Sequence, residues 1–213
     1  MTDVEKRFAI FDMDGTLIDS MGYWTDLAEE YLVSKGVRDD FAGMQAILAP
    51  MTMEESGAYF MEKYALQGTP QQLAAEMNGL MDRHYKNDIP LKPGVREYLR
   101  ELKSRGVRMC IASATPEHLA RECLDRLQVL DCFEFILSCE TLHTSKKKPD
   151  IYLAAARMLG AVPEEICVYE DVLYAVETAK NAGFYVAGVY DDAESARWGR
   201  ICELADETVA CPR

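Results

Sequence analysis

Short, continuous apolar runs alternate with segments of helical period along most of this chain. The first run, Arg7–Asp12 (RFAIFD), lacks the in–out alternation of a half-exposed strand, so it predicts a strand buried on both faces of a parallel sheet. It ends in DMDGT, where Gly15 supplies the turn. From about Ser20 to Pro90 the texture changes. Helical periods cover Tyr23–Lys35, Phe41–Leu48, Glu54–Tyr64 and Pro70–Tyr85, punctuated by Gly36, Pro50 and Gly68-Thr69-Pro70, and no strand-like run intervenes. Six methionines fall between Met44 and Met81, which suits the core of a helical bundle.

Beyond Pro93-Gly94 the pattern becomes regular alternation. Helices at Val95–Ser104, Pro116–Leu127, Pro149–Leu159 and Val172–Asn181 precede strands at Val107–Ala112, Phe133–Leu137, Ile166–Tyr169 and Phe184–Val189, with a last short strand at Glu207–Ala210. Strands separated by helices of this length imply right-handed crossovers and a doubly wound parallel sheet. The strand at Arg7–Asp12 belongs with them. The predicted fold class is therefore α/β, with residues 1–18 and 91–213 forming the core and an all-helical cap, 19–90, inserted after the first strand.

The chain has 213 residues and a net charge of −13, which argues against a protein that coats nucleic acid or an anionic membrane. An anionic substrate would have to be held by a few local cations, by backbone N–H groups or by a metal. Seven cysteines, an odd number without a C-x-x-C pair, read as reduced, mostly buried thiols rather than as a disulfide framework or a zinc site. The apolar stretch near the N-terminus is too short for a signal peptide, and no segment approaches the ~20 apolar residues of a membrane span. A cytoplasmic location is expected, and nothing in the pattern points to a protein partner.

The chemistry-bearing residues gather at predicted strand ends. Asp12 and Asp14 face the same way across Met13, so two carboxylates can share one crevice beyond a strand terminus, where ligands of doubly wound sheets bind. Close carboxylates favour a divalent cation or a shared proton; the plainer reading is a turn after a strand. Ser113 and Ala114 stand at a strand end just before a helix start, where a hydroxyl and free N–H groups can hold a phosphate. Alternatively, Ser113 or Thr115 simply caps the helix. Glu170-Asp171 ends another strand, and an acidic pair there also suits a helix N-terminus. Lys146, Lys147 and Lys148 precede Pro149, a run usually solvated. Together, acids, hydroxyl and lysine at one edge of one sheet form a metal-plus-phosphate constellation.

Asp12-Met13-Asp14-Gly15-Thr16-Leu17-Ile18-Asp19-Ser20 resembles the first motif of the haloacid dehalogenase superfamily, D-x-D-G-T-L-x-D-S. Ser113, the lysine near Pro149-Asp150-Ile151-Tyr152, and Glu170-Asp171 match the second, third and fourth motifs in order, and the helical insertion is similar to the cap of the β-phosphoglucomutase-like subgroup. The resemblance implies a Mg²⁺-dependent phosphatase acting on a small phosphorylated metabolite. Asp12 would be the nucleophile that forms an aspartyl-phosphate, and Asp14 the general acid and base. The cation would be held by Asp12, the main-chain carbonyl of Asp14 and Asp171, with Glu170 acting through water. Ser113 and Ala114 would bind the phosphoryl group, and a lysine would neutralise its developing charge. Alignment on Pro149, Asp150 and Tyr152 selects Lys146, with Lys147 in place of the usual proline; Lys148, directly before Pro149, is the rival. Val172 stands where the fourth motif normally has Ser.

Two departures bear on the reaction. β-Phosphoglucomutase carries a His in the cap hinge at the position Trp24 occupies here, and Gln45–Ser56 lacks a basic residue to grip a second phosphate. Both favour hydrolysis over the alternative, a phosphosugar mutase. A non-catalytic phosphate-binding regulatory module is the third reading, and the intact Asp12, Asp14 and Asp171 speak against it.

Overall fold

The structure is a computed structural model, and it describes residues 6–48 and 50–209. The first strand, β1 (Phe8–Phe11), is buried at every position. Four helices follow: α1 (Met21–Ser34), α2 (Met44–Leu48), α3 (Met53–Tyr64) and α4 (Pro70–Asn87). The chain then alternates through α5 (Val95–Ser104), β2 (Arg108–Ser113), α6 (Glu117–Arg126), β3 (Ile136–Ser138), α7 (Asp150–Leu159), β4 (Ile166–Glu170), α8 (Leu173–Asn181), β5 (Tyr185–Val189), α9 (Trp198–Leu204) and β6 (Glu207–Val209). Its contacts divide it into an α/β unit on either side of an inserted helical unit, Met21–Asp88.

The six strands form one parallel sheet in the order β3-β2-β1-β4-β5-β6. Burial on both faces explains why β1 and β4 read as unbroken apolar runs. β1 lies at the centre, with Phe11 level with Ile111 of β2 on one side and Tyr169 of β4 on the other. The winding reverses between β1 and β4, and the exits of these two strands flank that switch point. On one face, α7 packs Ile151, Tyr152, Ala155 and Leu159 into a core with Ile10, Val168, Val176 and Phe184. The α/β expectation is met: the sheet is parallel and doubly wound, with helices between its strands.

In the helical unit, Leu27, Tyr31, Leu32, Phe60, Leu73, Met77, Met81 and Tyr85 are buried. Capping boxes built on Thr52 and Thr69 start α3 and α4, each threonine accepting from the N3 amide while the N3 side chain reaches back. Gly57 lets these two helices approach closely, since a Cβ there would lie 2.7 Å from the Pro70 carbonyl oxygen.

The departures from the sequence expectations are local. The strand expected at Phe133–Leu137 begins at Ile136, because the Phe133 amide closes a 3₁₀ turn on the Leu130 carbonyl. The helix expected from Phe41 starts at Met44, after a turn in which Gly43 takes φ +78°. A 3₁₀ segment, Asp192–Arg197, and α9 carried no sequence prediction: their buried side is nearly reduced to Ile201, which sits over Gly188 where a Cβ would come within 2.6 Å. Of the expected strand Glu207–Ala210, Ala210 lies outside the described residues. Six described cysteines are free, five of them buried and Cys202 exposed; Cys211 lies outside the described residues. No described helix is long and apolar enough to cross a membrane.

Candidate active site

The exit of β1 is held against β4 by the Asp12 amide, which donates to the Tyr169 carbonyl at 3.0 Å. The chain then folds into a tight loop in which the amides of Leu17 and Ile18 both donate to the Met13 carbonyl, and Gly15 adopts φ +77°. Asp12 is buried and Asp14 half-buried. Beside them, β4 ends at Glu170 and is followed by Asp171; both side chains are fully buried. Full burial removes the plain reading of this pair as surface charges at a helix start.

Lys146 enters from the turn after β3. It is buried, whereas Lys147 and Lys148 are exposed. Its ammonium pairs with Asp12 Oδ1 and, at 2.8 Å, with Glu170 Oε1. The structure thus brings Asp12, Lys146, Glu170 and Asp171 together, although they come from three separate stretches of sequence.

Ser113, at the end of β2, is fully buried, and its Oγ accepts the Thr115 amide at 3.0 Å, which leaves its own O–H to donate. Ala114 between them is exposed. Neither Ser113 nor Thr115 caps α6, whose N-cap is Pro116 without a side-chain bond. Instead the Thr115 hydroxyl donates to Asp14 Oδ2 at 2.5 Å. Four further hydroxyl-bearing or charged side chains escaped the sequence reading. Thr16 donates to Asp171 Oδ1 at 2.9 Å, Tyr152 donates to Glu170 Oε1 at 2.6 Å, and Lys92 forms a buried ion pair with Asp191 at 2.8 Å. Thr16 and Tyr152 stand inside the quoted motifs; Lys92 and Asp191 carried no signal beyond their charge.

The electrostatics follow from crowding and burial. Burial, with Asp12 as a second negative neighbour, pushes the Glu170 carboxyl up to about 7 despite Lys146 beside it. Burial and the charges of Asp12 and Glu170 likewise raise Asp171 well above the ordinary carboxyl range. For Lys146, burial acts to lower the ammonium, but the carboxylates of Asp12 and Glu170 outweigh it and hold the group above its usual value. Among the described residues, Asp12, Glu170 and Asp171 form the one cluster whose ligand atoms, all within 4.8 Å of one another, could hold a metal ion. Glu170 Oε2 and Asp171 Oδ2 are buried with no hydrogen-bond partner. Orphaned carboxylate oxygens are costly in a protein interior, and an all-oxygen set of this kind suits a hard divalent cation.

This fold and these strand-end acids define a class of phosphoryl-handling enzyme built on a doubly wound sheet. Residues 7–183 match the family of haloacid dehalogenase-like hydrolases, and the chain belongs to that family. It is 29% identical over 178 residues to a phosphorylated carbohydrates phosphatase of Thermotoga maritima, covering 82% of this chain and 80% of the relative. It is 31% identical over 198 residues to a β-phosphoglucomutase of Bacillus subtilis, covering 86% and 83%. A crystal structure from Thermotoga maritima, described provisionally as a β-phosphoglucomutase, superposes with a TM-score of 0.82 at 26% identity over 96% of this chain and 94% of the other.

Proposed function

We propose that the protein is a Mg²⁺-dependent phosphatase of small phosphomonoesters, working through an aspartyl-phosphate. The observation that carries this reading is the buried Asp12–Lys146–Glu170–Asp171 cluster at the switch point of the sheet. A carboxylate oxygen of Asp12 attacks phosphorus, the P–O bond to the alcohol breaks, and Asp14 protonates the departing oxygen. In the second half, Asp14 takes a proton from water as that water attacks the phosphorus and releases Asp12. Thr115 holds Asp14 for both steps through its hydrogen bond to Oδ2. The Ser113 hydroxyl and the amide at Ala114 bind the phosphoryl oxygens, and Lys146 neutralises charge that develops on them. Mg²⁺, held by Asp12, Asp171, the main-chain carbonyl of Asp14 and, through water, Glu170, would offset the repulsion between an anionic carboxylate and an anionic phosphate.

The relative from Bacillus subtilis raises the mutase reading, in which a second sugar oxygen rather than water takes the phosphoryl group. Trp24 favours water. Its indole N–H donates to the Tyr85 hydroxyl at 3.3 Å, and an indole, which only donates, cannot shuttle a proton as an imidazole can. The test is phosphate release across a panel of phosphorylated metabolites, with Mg²⁺ and with excess chelator. Release should need the cation, and β-glucose 1-phosphate with a bisphosphate primer should give no appreciable glucose 6-phosphate. Full activity in chelator overturns the metal assignment, and efficient conversion to the 6-phosphate overturns hydrolysis in favour of the mutase.

A further inference from the structure

Each of the two strand-end acids has one oxygen engaged by a neutral hydroxyl and one left over. Glu170 Oε1 receives the Tyr152 hydroxyl at 2.6 Å and the Lys146 ammonium at 2.8 Å, and Asp171 Oδ1 receives the Thr16 hydroxyl at 2.9 Å. The remaining oxygens, Glu170 Oε2 and Asp171 Oδ2, are the two buried carboxylate oxygens without partners in the cluster. Tyr152 is fully buried on α7, its ring edge-on to Phe184 at 6.1 Å and its body inside the apolar core. For packing, phenylalanine would fill nearly the same space. The hydroxyl is therefore the part of this side chain that needs a separate reason, and its hydrogen-bond acceptor is Glu170.

We propose that Tyr152 is a positioning residue for the cation site: with Lys146 it claims Oε1 of Glu170, and so presents Oε2 to the metal, as Thr16 does for Asp171. This rests on the reading that the cluster binds Mg²⁺. The charge count agrees with it. With a cation bound, the three carboxylates would all be ionised, and against one ammonium they would leave two negative charges, the number a divalent cation neutralises. A neutral phenol orients a carboxylate without cancelling any of that charge, which a second lysine would do. Hydrogen-bond partners behind metal ligands typically contribute about 10–100-fold to metal affinity.

The experiment is calorimetric titration of the metal-free protein with Mg²⁺, comparing wild type with Tyr152→Phe. The variant should bind Mg²⁺ about 10–100-fold more weakly, with little change in its urea midpoint. At saturating Mg²⁺ its kcat should return close to wild type, because the phenol does not touch the reacting atoms. Thr16→Val should weaken Mg²⁺ binding in the same way through Asp171, and Thr16→Ser should restore it. Wild-type Mg²⁺ affinity in Tyr152→Phe overturns the proposal. So does a Tyr152→Phe chain that no longer folds, which would assign the hydroxyl to stability; the Thr16 pair then still decides whether hydroxyl pinning sets metal affinity. If the wild type itself binds no Mg²⁺, the cation reading fails first and separately.

Discussion

Replacing Lys92 by Met should be among the most destabilising single changes available outside the active cluster. Lys92 and Asp191 are 7% and 5% exposed, with Nζ 2.8 Å from the carboxylate and 2.8 Å from the Tyr190 carbonyl oxygen. Methionine keeps most of the side-chain volume but leaves the Asp191 charge uncompensated in the interior. Stripping one partner from a buried pair costs about 3–5 kcal/mol, or roughly 10²- to 4 × 10³-fold in the folding equilibrium at about 1.4 kcal/mol per decade. Removing both charges, as Lys92→Met with Asp191→Leu, should recover most of that loss, since apolar replacements of buried pairs are often neutral or better. Recovery should be incomplete by about 1 kcal/mol, because Asp191 also accepts the Ala193 amide at 2.9 Å and caps the following 3₁₀ segment. Lys103–Asp131 is the control: it has a similar separation of 2.7 Å, but its side chains are 48% and 77% exposed, so Lys103→Met should leave the urea midpoint essentially unmoved. Urea unfolding of the four proteins is the assay. A loss below about 1 kcal/mol in Lys92→Met, or a double variant no better than the single, would refute the claim that burial makes this pair costly to break.

Two further outcomes are expected. Lys146→Ala should lower kcat by about 10²-fold or more, as loss of a transition-state electrostatic donor does, whereas exposed Lys148→Ala should be mild; the reverse ranking in steady-state kinetics would show that Lys148 serves the phosphoryl group. In the helical unit, His84 lies between Glu30 at 2.8 Å and Asp88 at 2.7 Å, and although burial works against the imidazolium, these two carboxylates raise its pKa above the usual value. Its contribution to stability should be full below about pH 6.5 and fade as pH rises through the folded-state value. A urea midpoint with the same pH profile in His84→Gln as in wild type would contradict this.

Much of this architecture is legible in the sequence for a simple reason. Strands buried on both faces, such as Phe8–Phe11 and Ile166–Glu170, must be apolar throughout, and the helices between them carry caps and turns with local signatures. Asp12, Asp14, Ser113 and Glu170-Asp171 stood out because strand ends in such a sheet are where ligands bind. What stayed hidden depends on distant partners. Thr115 looks like a helix cap until the fold brings Asp14, 101 residues away, within reach of its hydroxyl. Tyr152 looks like core until its oxygen meets Glu170, 18 residues on. Lys92, beside Pro93-Gly94, carries no signal beyond its charge until the fold brings Asp191, just past β5, against its ammonium. The short helix Trp198–Leu204 has too small an apolar face for its period to register.

The central claim is that Asp12 carries the phosphoryl group. It is tested most directly by acid-quenched single turnover with a ³²P-labelled phosphomonoester in Mg²⁺, comparing wild type with Asp12→Asn, which keeps the shape of the side chain and removes its nucleophilic charge. Label should appear transiently on the wild-type chain, in the peptide containing Asp12, before free phosphate accumulates, and Asp12→Asn should give neither. Phosphate release at the wild-type rate from Asp12→Asn, or release without any labelled chain on a time scale that resolves the first turnover, would contradict the account.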